Sequence, residues 1–295
     1  MQRLAGAVAT LWLTTAAAFF ALEVTPGDYL SEARMDGRVP EATLRTLEAQ
    51  YGLQNSALER YGRWLSGAVQ GDLGKSFATG EAVGPVLWER GGKTLVLVAE
   101  AQVLVWVAAL GLGLWGVRKS RGWVERVLEP VAYGLLSVPD VVLVLGVALL
   151  FAKAGQEFSS GWGPVLALGL GLGPAAWLQV RSALRQASGR SFVEGARARG
   201  FAERVVLLRY VMPAACPSLA ALAGLSVGTS LSASLLVECT MGYPGLGPLL
   251  LEAILSRDVN VALGAVVLAA VVWTVGNAVG ELLQVAVDPR LRRVA

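Results

Sequence analysis

Long apolar runs separated by polar connections set the rhythm of this chain. A helix rises about 1.5 Å per residue and needs roughly 20 residues to cross a hydrocarbon layer of about 30 Å. Six runs are of that order: Leu4 to Leu22, Thr94 to Val117, Pro130 to Ala152, Phe158 to Val180, Pro217 to Val237 and Val261 to Gly280. The pattern predicts an all-α, polytopic bundle of six transmembrane helices. The first run differs from a cleaved secretory signal, because it outlasts the usual apolar region of one and Glu23 follows without a small-x-small cleavage pattern. It reads as a retained span.

The stretch from 23 to 93 is polar and carries helix punctuation. Pro40 suits a first helical position, Leu44, Leu47 and Tyr51 keep helical spacing, and Gly52 suits a stop. A second helix is expected from the capping-box pair Ser56 and Glu59, with Leu58, Tyr61, Leu65 and Ala68 on one face and Trp64 beside it. This helical insertion either caps the membrane surface or offers a docking surface to an external partner.

Composition agrees with a lipid solvent: 55% of residues are hydrophobic and 16% charged, against about a quarter charged in soluble domains. Basic residues in the connections orient the spans, since cytoplasmic loops are enriched in Lys and Arg. Arg118, Lys119, Arg121 and Arg126 fill the second connection, seven arginines lie between Arg181 and Arg209, and the tail adds Arg290, Arg292 and Arg293. The third and fifth connections offer only Lys153 and Arg257. Both termini and the even connections are therefore expected in the cytoplasm, and the 23–93 insertion outside. Arginines at span ends point to lipid rather than to nucleic acid.

Several chemistries are excluded or weakened. The chain has no histidine, the commonest general base and metal ligand. Cys216 and Cys239 are held roughly 30 Å apart by an intervening helix, so neither a disulfide nor a zinc cage is expected. Gly74, Lys75 and Ser76 imitate the end of a phosphate-binding loop, but Val69 stands where its first glycine belongs. Gly169, Gly171 and Gly173, like Gly224 with Gly228 and Gly276 with Gly280, lie in spans and suit close helix packing.

The segment from Arg181 to Cys216 has the most specific pattern. Ser191 is a candidate cap with Glu194 three residues on, Gly200 can interrupt the helix, and Val205, Leu208 and Met212 recur at helical spacing before Pro213. Two short helices joined at a bend are expected. An apolar face offered to the cytosol suits the groove of another protein, whereas an ordinary basic loop would rest on anionic lipid.

Glu194, Ala196, Gly200 and Pro213 match the EAA loop of binding-protein-dependent ABC importer permeases, E-A-A followed after three residues by G and after nine more by I-x-L-P. Gly195, Tyr210 and Met212 depart from that form. The run from Val237 to Gly247 resembles the V-E-x-x-F-x-x-P-G-L-G stretch of the dipeptide, oligopeptide and nickel branch, with Met241 in place of the aromatic. Gly71 to Phe77 and Asp288-Pro289-Arg290 are similar to that branch too.

The resemblance implies one transmembrane domain over 1–295, with an extracytoplasmic insertion (23–93), a core bundle (94–287) and a cytoplasmic coupling loop (181–216). Glu194, Gly195, Ala196, Gly200, Phe201, Tyr210, Met212 and Pro213 would dock a separate ATPase. It further implies a multi-pass protein of the bacterial inner membrane, a second and different permease chain, two ATPase subunits carrying ATP and Mg, and an external solute-binding protein. The chain itself would bind no cofactor or metal and catalyse nothing.

Ionisable groups inside spans are costly and face a cavity or a partner. Glu100, Asp140 after Pro139, and Glu238 are candidates for lining the pathway, or for bonding freed backbone or a second permease. Two other readings compete. An ion-gradient-driven secondary transporter would show symmetry between halves, and an intramembrane enzyme would need a nucleophile–base pair, a metal site or paired aspartates. The sequence shows neither set of features.

Overall fold

The computed structural model describes residues 2–25, 27, 29–31, 34, 40–118, 122–155 and 161–287. Lys119, Arg121, Phe158, the Asp288-Pro289-Arg290 run, Arg292 and Arg293 lie outside them. The chain forms two compact units, 1–94 with 244–272 and 95–243 with 273–295. Among the described residues the regular structure is helical, save an isolated bridge between Lys75 and Ala82.

In the first unit, α1 (Gln2–Val24) packs against α3 (Ala57–Val69), and α2 (Glu41–Tyr51) precedes it. Pro40 is the cap of α2 rather than its first helical residue, one position earlier than expected, because its backbone is extended. Gly52 ends α2 in the left-handed region. Ser56 and Glu59 form the expected capping box on α3. Phe19, Tyr61 and Leu263 make the core there, and the Tyr61 and Thr15 hydroxyls are 2.9 Å apart.

The GDLGKSF stretch of this unit, Gly71 to Phe77, is tied to the chain just before the last helix, α12 (Val259–Val287). The buried Asp258 carboxylate accepts from Ser76 Oγ at 2.6 Å, from the Ala78 amide at 3.2 Å and from the Val261 amide at 3.3 Å. Asn260 Nδ2 donates to the Lys75 carbonyl at 2.8 Å. Asp258 thus caps α12, and Ser76 is tied to that cap.

Helix α4 (Val83–Arg118) begins eleven residues before the expected span. Its charged early turns mask the helix in an apolar scan, yet Lys93 pairs with Glu89 one turn earlier at 2.9 Å and continues it. The 23–93 boundary thus cuts through a helix.

The third expected span, Pro130 to Ala152, is broken. It consists of α5 (Trp123–Leu136) and α6 (Asp140–Lys153), bent by 106°. Pro139 has no amide hydrogen, a proline disfavours helical backbone in the residue before it, and its own backbone is extended. Among the described residues, five helices are long and apolar enough to cross a membrane, six spans if this bent pair is one.

Helix α7 (Trp162–Ser188) is the hub of the second unit, packing on α5, α6 and α10 (Met212–Met241). It continues past Val180, so Arg181 does not open a loop: it is buried and pairs with Glu129 of α5 at 2.8 Å. The small residues act as expected between α10 and the end of α12. A Cβ on Gly224 would stand 2.7 Å from the Gly280 Cα, and one on Gly228 2.0 Å from the Trp273 ring. A further short apolar helix, α11 (Leu246–Leu255), belongs to the first unit.

Candidate coupling site

Helix α8 (Ser191–Ala198) follows α7 almost at once. Its cap is Arg190, with extended backbone and no side-chain bond, so Ser191 is the first helical residue and not the cap. Glu194 sits in the first turn, where a carboxylate suits the positive end of the helix dipole, and its side chain is exposed.

The helix ends through Gly200, whose φ is +79°. The Gly200 amide donates to the Arg197 carbonyl at 2.9 Å and the Phe201 amide to the Ala196 carbonyl at 3.4 Å. This is the paired closure that a left-handed residue after the cap allows. A Cβ on Gly200 would meet nothing within 4 Å, so backbone conformation rather than packing requires glycine there.

The loop has two faces. Val193, Ala196, Val206 and Val211 are fully buried in one apolar cluster with Leu184 and Ala187 of α7. Phe192, Phe201, Val205 and Leu208 are exposed, Leu208 at 67%. Gly195 is half-buried. The Phe201 ring lies 6.0 Å from that of Tyr210, and the Arg199 guanidinium 5.8 Å above Phe201.

Beyond the bend the expected short helix is not separate from the following span. A turn of α-helix, α9 (Glu203–Val206), passes through a π-helical segment, Leu207–Val211, into α10 without a break. Pro213 lacks the amide that would bond the carbonyl four residues earlier, and the wider turn lies beside that loss. Tyr210 and Met212 are half-buried against the apolar cluster, and Pro213 is exposed. The stripe Val205, Leu208, Met212 is therefore divided, its first two members on the free face.

Sequence reading missed Arg197. Its Nε and Nη2 donate to Glu203 Oε2 and Oε1 at 3.2 and 3.0 Å, while Nη1 and Nη2 donate to the Ser188 carbonyl and hydroxyl at 3.3 and 2.8 Å. One guanidinium thus ties the ends of α7, α8 and α9. The available signal was an opposite-charge pair straddling Gly200.

The acidic candidates occupy different settings. Glu238 is fully buried in α10 and Glu100 is exposed on α4. Both act on Tyr243, just past α10, whose hydroxyl is pushed above its usual pKa by burial first, then by the charges of Glu238 and Glu100. Asp140 stands in the first turn of α6, beside a cavity of about 40 Å³ lined by Val144, Leu168, Gly171 and Leu236. Among the described residues, no three His, Cys, Asp or Glu side chains are grouped to hold a metal ion.

Three comparisons bear on this geometry. The family model for binding-protein-dependent transport system inner membrane components matches residues 108–293. A nickel import system permease protein of Staphylococcus aureus is 25% identical over 99% of this chain and 91% of its own length. An oligopeptide transport system permease protein of Mycobacterium bovis is 28% identical over 86% of each. Among solved structures, an inward-facing methionine ABC transporter aligns with a TM-score of 0.61 at 19% identity, over 69% of this chain and 96% of that one, a likeness of fold.

Proposed function

Since the chain belongs to the family of binding-protein-dependent transport system inner membrane components, a permease of the inner membrane served by a separate ATPase, we propose that the stretch 189–213, the part of 181–216 that lies beyond α7, forms the docking loop for that ATPase. The observation that carries this reading is the two-faced bend around Gly200, with one side of the loop seated on α7 and Phe192, Phe201, Val205 and Leu208 left open beside Glu194. A short helix with an apolar exposed face suits a groove on a second protein. Ala196 and Met212 hold the loop onto the bundle, Gly195 keeps its surface low, Gly200 sets the turn, and Tyr210 backs Phe201. Pro213 marks the start of the span that carries the motion onward.

The chain then supplies half of a pathway whose other half is a second, different permease, with two ATPase subunits inside and a solute-binding protein outside. The 23–82 stretch contributes the external insertion, the helices from Val83 onward the core bundle, and both termini lie in the cytoplasm, so that 1–295 works as one transmembrane domain. ATP and Mg reside on the ATPases. The cargo is a peptide or a related small solute, nickel included, as the named relatives support. The cost of a carboxylate in lipid supports Glu100 and Asp140, both exposed on this chain, as pathway-lining groups, with Glu238 buried in α10.

Glu194→Lys and Gly200→Pro test the docking loop. Each variant is expected in the membrane at the parent level but without ATPase in a pull-down, and with uptake lost. Undiminished recovery of the ATPase with both variants would remove the docking assignment.

A further inference from the structure

We propose that Arg197 is a positioning residue of the transport cycle: its fork to Glu203 and Ser188 locks α8 to the helix that runs into α10, so that a push on α8 turns that span instead of being absorbed at Gly200. This rests on the docking of an ATPase at the 189–213 loop.

The need for a lock follows from the bend. Gly200 is left-handed and exposed with open space around it, so beyond the two amide bonds that end α8 no packing resists a change of angle there. Val193 and Ala196 seat α8 on the bundle through apolar contact, which is non-directional and tolerates sliding. The two backbone bonds that end α8 orient Gly200 and Phe201, and the guanidinium carries that orientation on to the next helix. Two of its nitrogens meet both Glu203 oxygens, at 3.2 and 3.0 Å, in the planar geometry that fixes orientation as well as distance. Two more bonds, at 3.3 and 2.8 Å, reach Ser188 at the end of α7.

The bend is thereby closed by a side-chain bridge across six residues, and both arms are referred to the same point on α7. Lysine cannot replace this bridge, since a single ammonium on a flexible stem has no fork. Both partners are about one-third exposed, 34% for Arg197 and 33% for Glu203, so the bridge contributes little to the stability of the fold and much to its angle.

The test uses the whole complex, permeases with their ATPases, purified from membranes and reconstituted in liposomes. Spin labels are placed at Ser191→Cys and Ser218→Cys, both exposed, in a chain carrying Cys216→Ser and Cys239→Ser. A narrow distribution of label separations is expected for the parent. Arg197→Lys is expected to widen it roughly twofold with the ATPase still recovered at the parent ratio. Uptake of radiolabelled dialanine, trialanine or nickel ion per ATP hydrolysed should fall about tenfold, the size of an ordinary coupling free energy. The exchanged pair Arg197→Glu with Glu203→Arg should narrow the distribution again and recover part of the lost uptake.

An unchanged distribution, or an unchanged ratio of uptake to hydrolysis, overturns the proposal. So does loss of the ATPase from Arg197→Lys, which would make Arg197 a docking contact. If Glu194→Lys and Gly200→Pro retain the ATPase, the docking reading fails by itself, and the label separations still report whether Arg197 fixes the bend.

Discussion

Two carboxylates bridge distant or divergent stretches of this chain, and they do so under opposite conditions. Asp258 is 2% exposed and its donor Ser76 5%, and the shortest bond between them is 2.6 Å. Glu203 and Arg197 sit in contact with water at about a third exposure each. Hydrogen bonds to a buried carboxylate act in a low local dielectric and are costly to leave unmade. A half-exposed ion pair is screened and worth little as stability. The difference separates a joint that holds the fold from one that sets an angle within it: the first should be felt as loss of structure, the second as loss of coupling.

The sharpest way to break this contrast is at Asp258. Asp258→Ala leaves the Ser76 hydroxyl and the Ala78 and Val261 amides without their acceptor. At about 1–3 kcal/mol for each buried donor left unsatisfied, which here means the Ser76 hydroxyl and the Val261 amide but not the solvent-accessible Ala78, the variant is expected to lose a few kcal/mol, read as a clear fall in the thermal midpoint of the purified chain. A midpoint within a degree of the parent would show that the Ser76–Asp258 joint does not hold the 71–77 segment. Glu203→Ala comes next and much lower, at under about 1 kcal/mol after allowance for solvent screening. The stability difference between parent and variant should shrink further in molar salt. A salt-independent loss as large as that of Asp258→Ala would erase the distinction between the joints.

What could be read in the sequence was mostly what is local. Gly52, the Ser56–Glu59 box and the turn at Gly200 each depend on residues within about four positions, and each is where the pattern placed it. The failures have physical causes. Pro139 is plain in the sequence, but the degree of bending at a proline depends on what surrounds it, and here it reaches 106°. The start of α4 was hidden because Glu89, Arg90 and Lys93 lower the hydropathy of turns that remain helical. Ser76 and Asp258 are 182 positions apart, and nothing in either neighbourhood names the other. Arg197 and Glu203 are six apart, and the pair is within reach of the sequence, but a run of arginines at span ends hides individual partners, as it does for Arg181, which is buried against Glu129.

The smallest expected effect on stability is also the one that most sharpens the contrast. Leu208 is 67% exposed on the free face of the loop. Removing its apolar surface costs the isolated chain almost nothing, within about 0.5 kcal/mol for a surface position away from caps and cores. Its neighbour Leu207 is buried, 6% exposed, and supplies the control, since a polar replacement there should cost a few kcal/mol through loss of apolar contact and burial of a hydroxyl. Leu208→Ser should therefore melt with the parent and yet fail to retain the ATPase in a pull-down, whereas Leu207→Ser should melt early. If Leu208→Ser keeps the ATPase at the parent ratio, the exposed stripe is not what the ATPase grips, and the free face must owe its apolar side chains to something else.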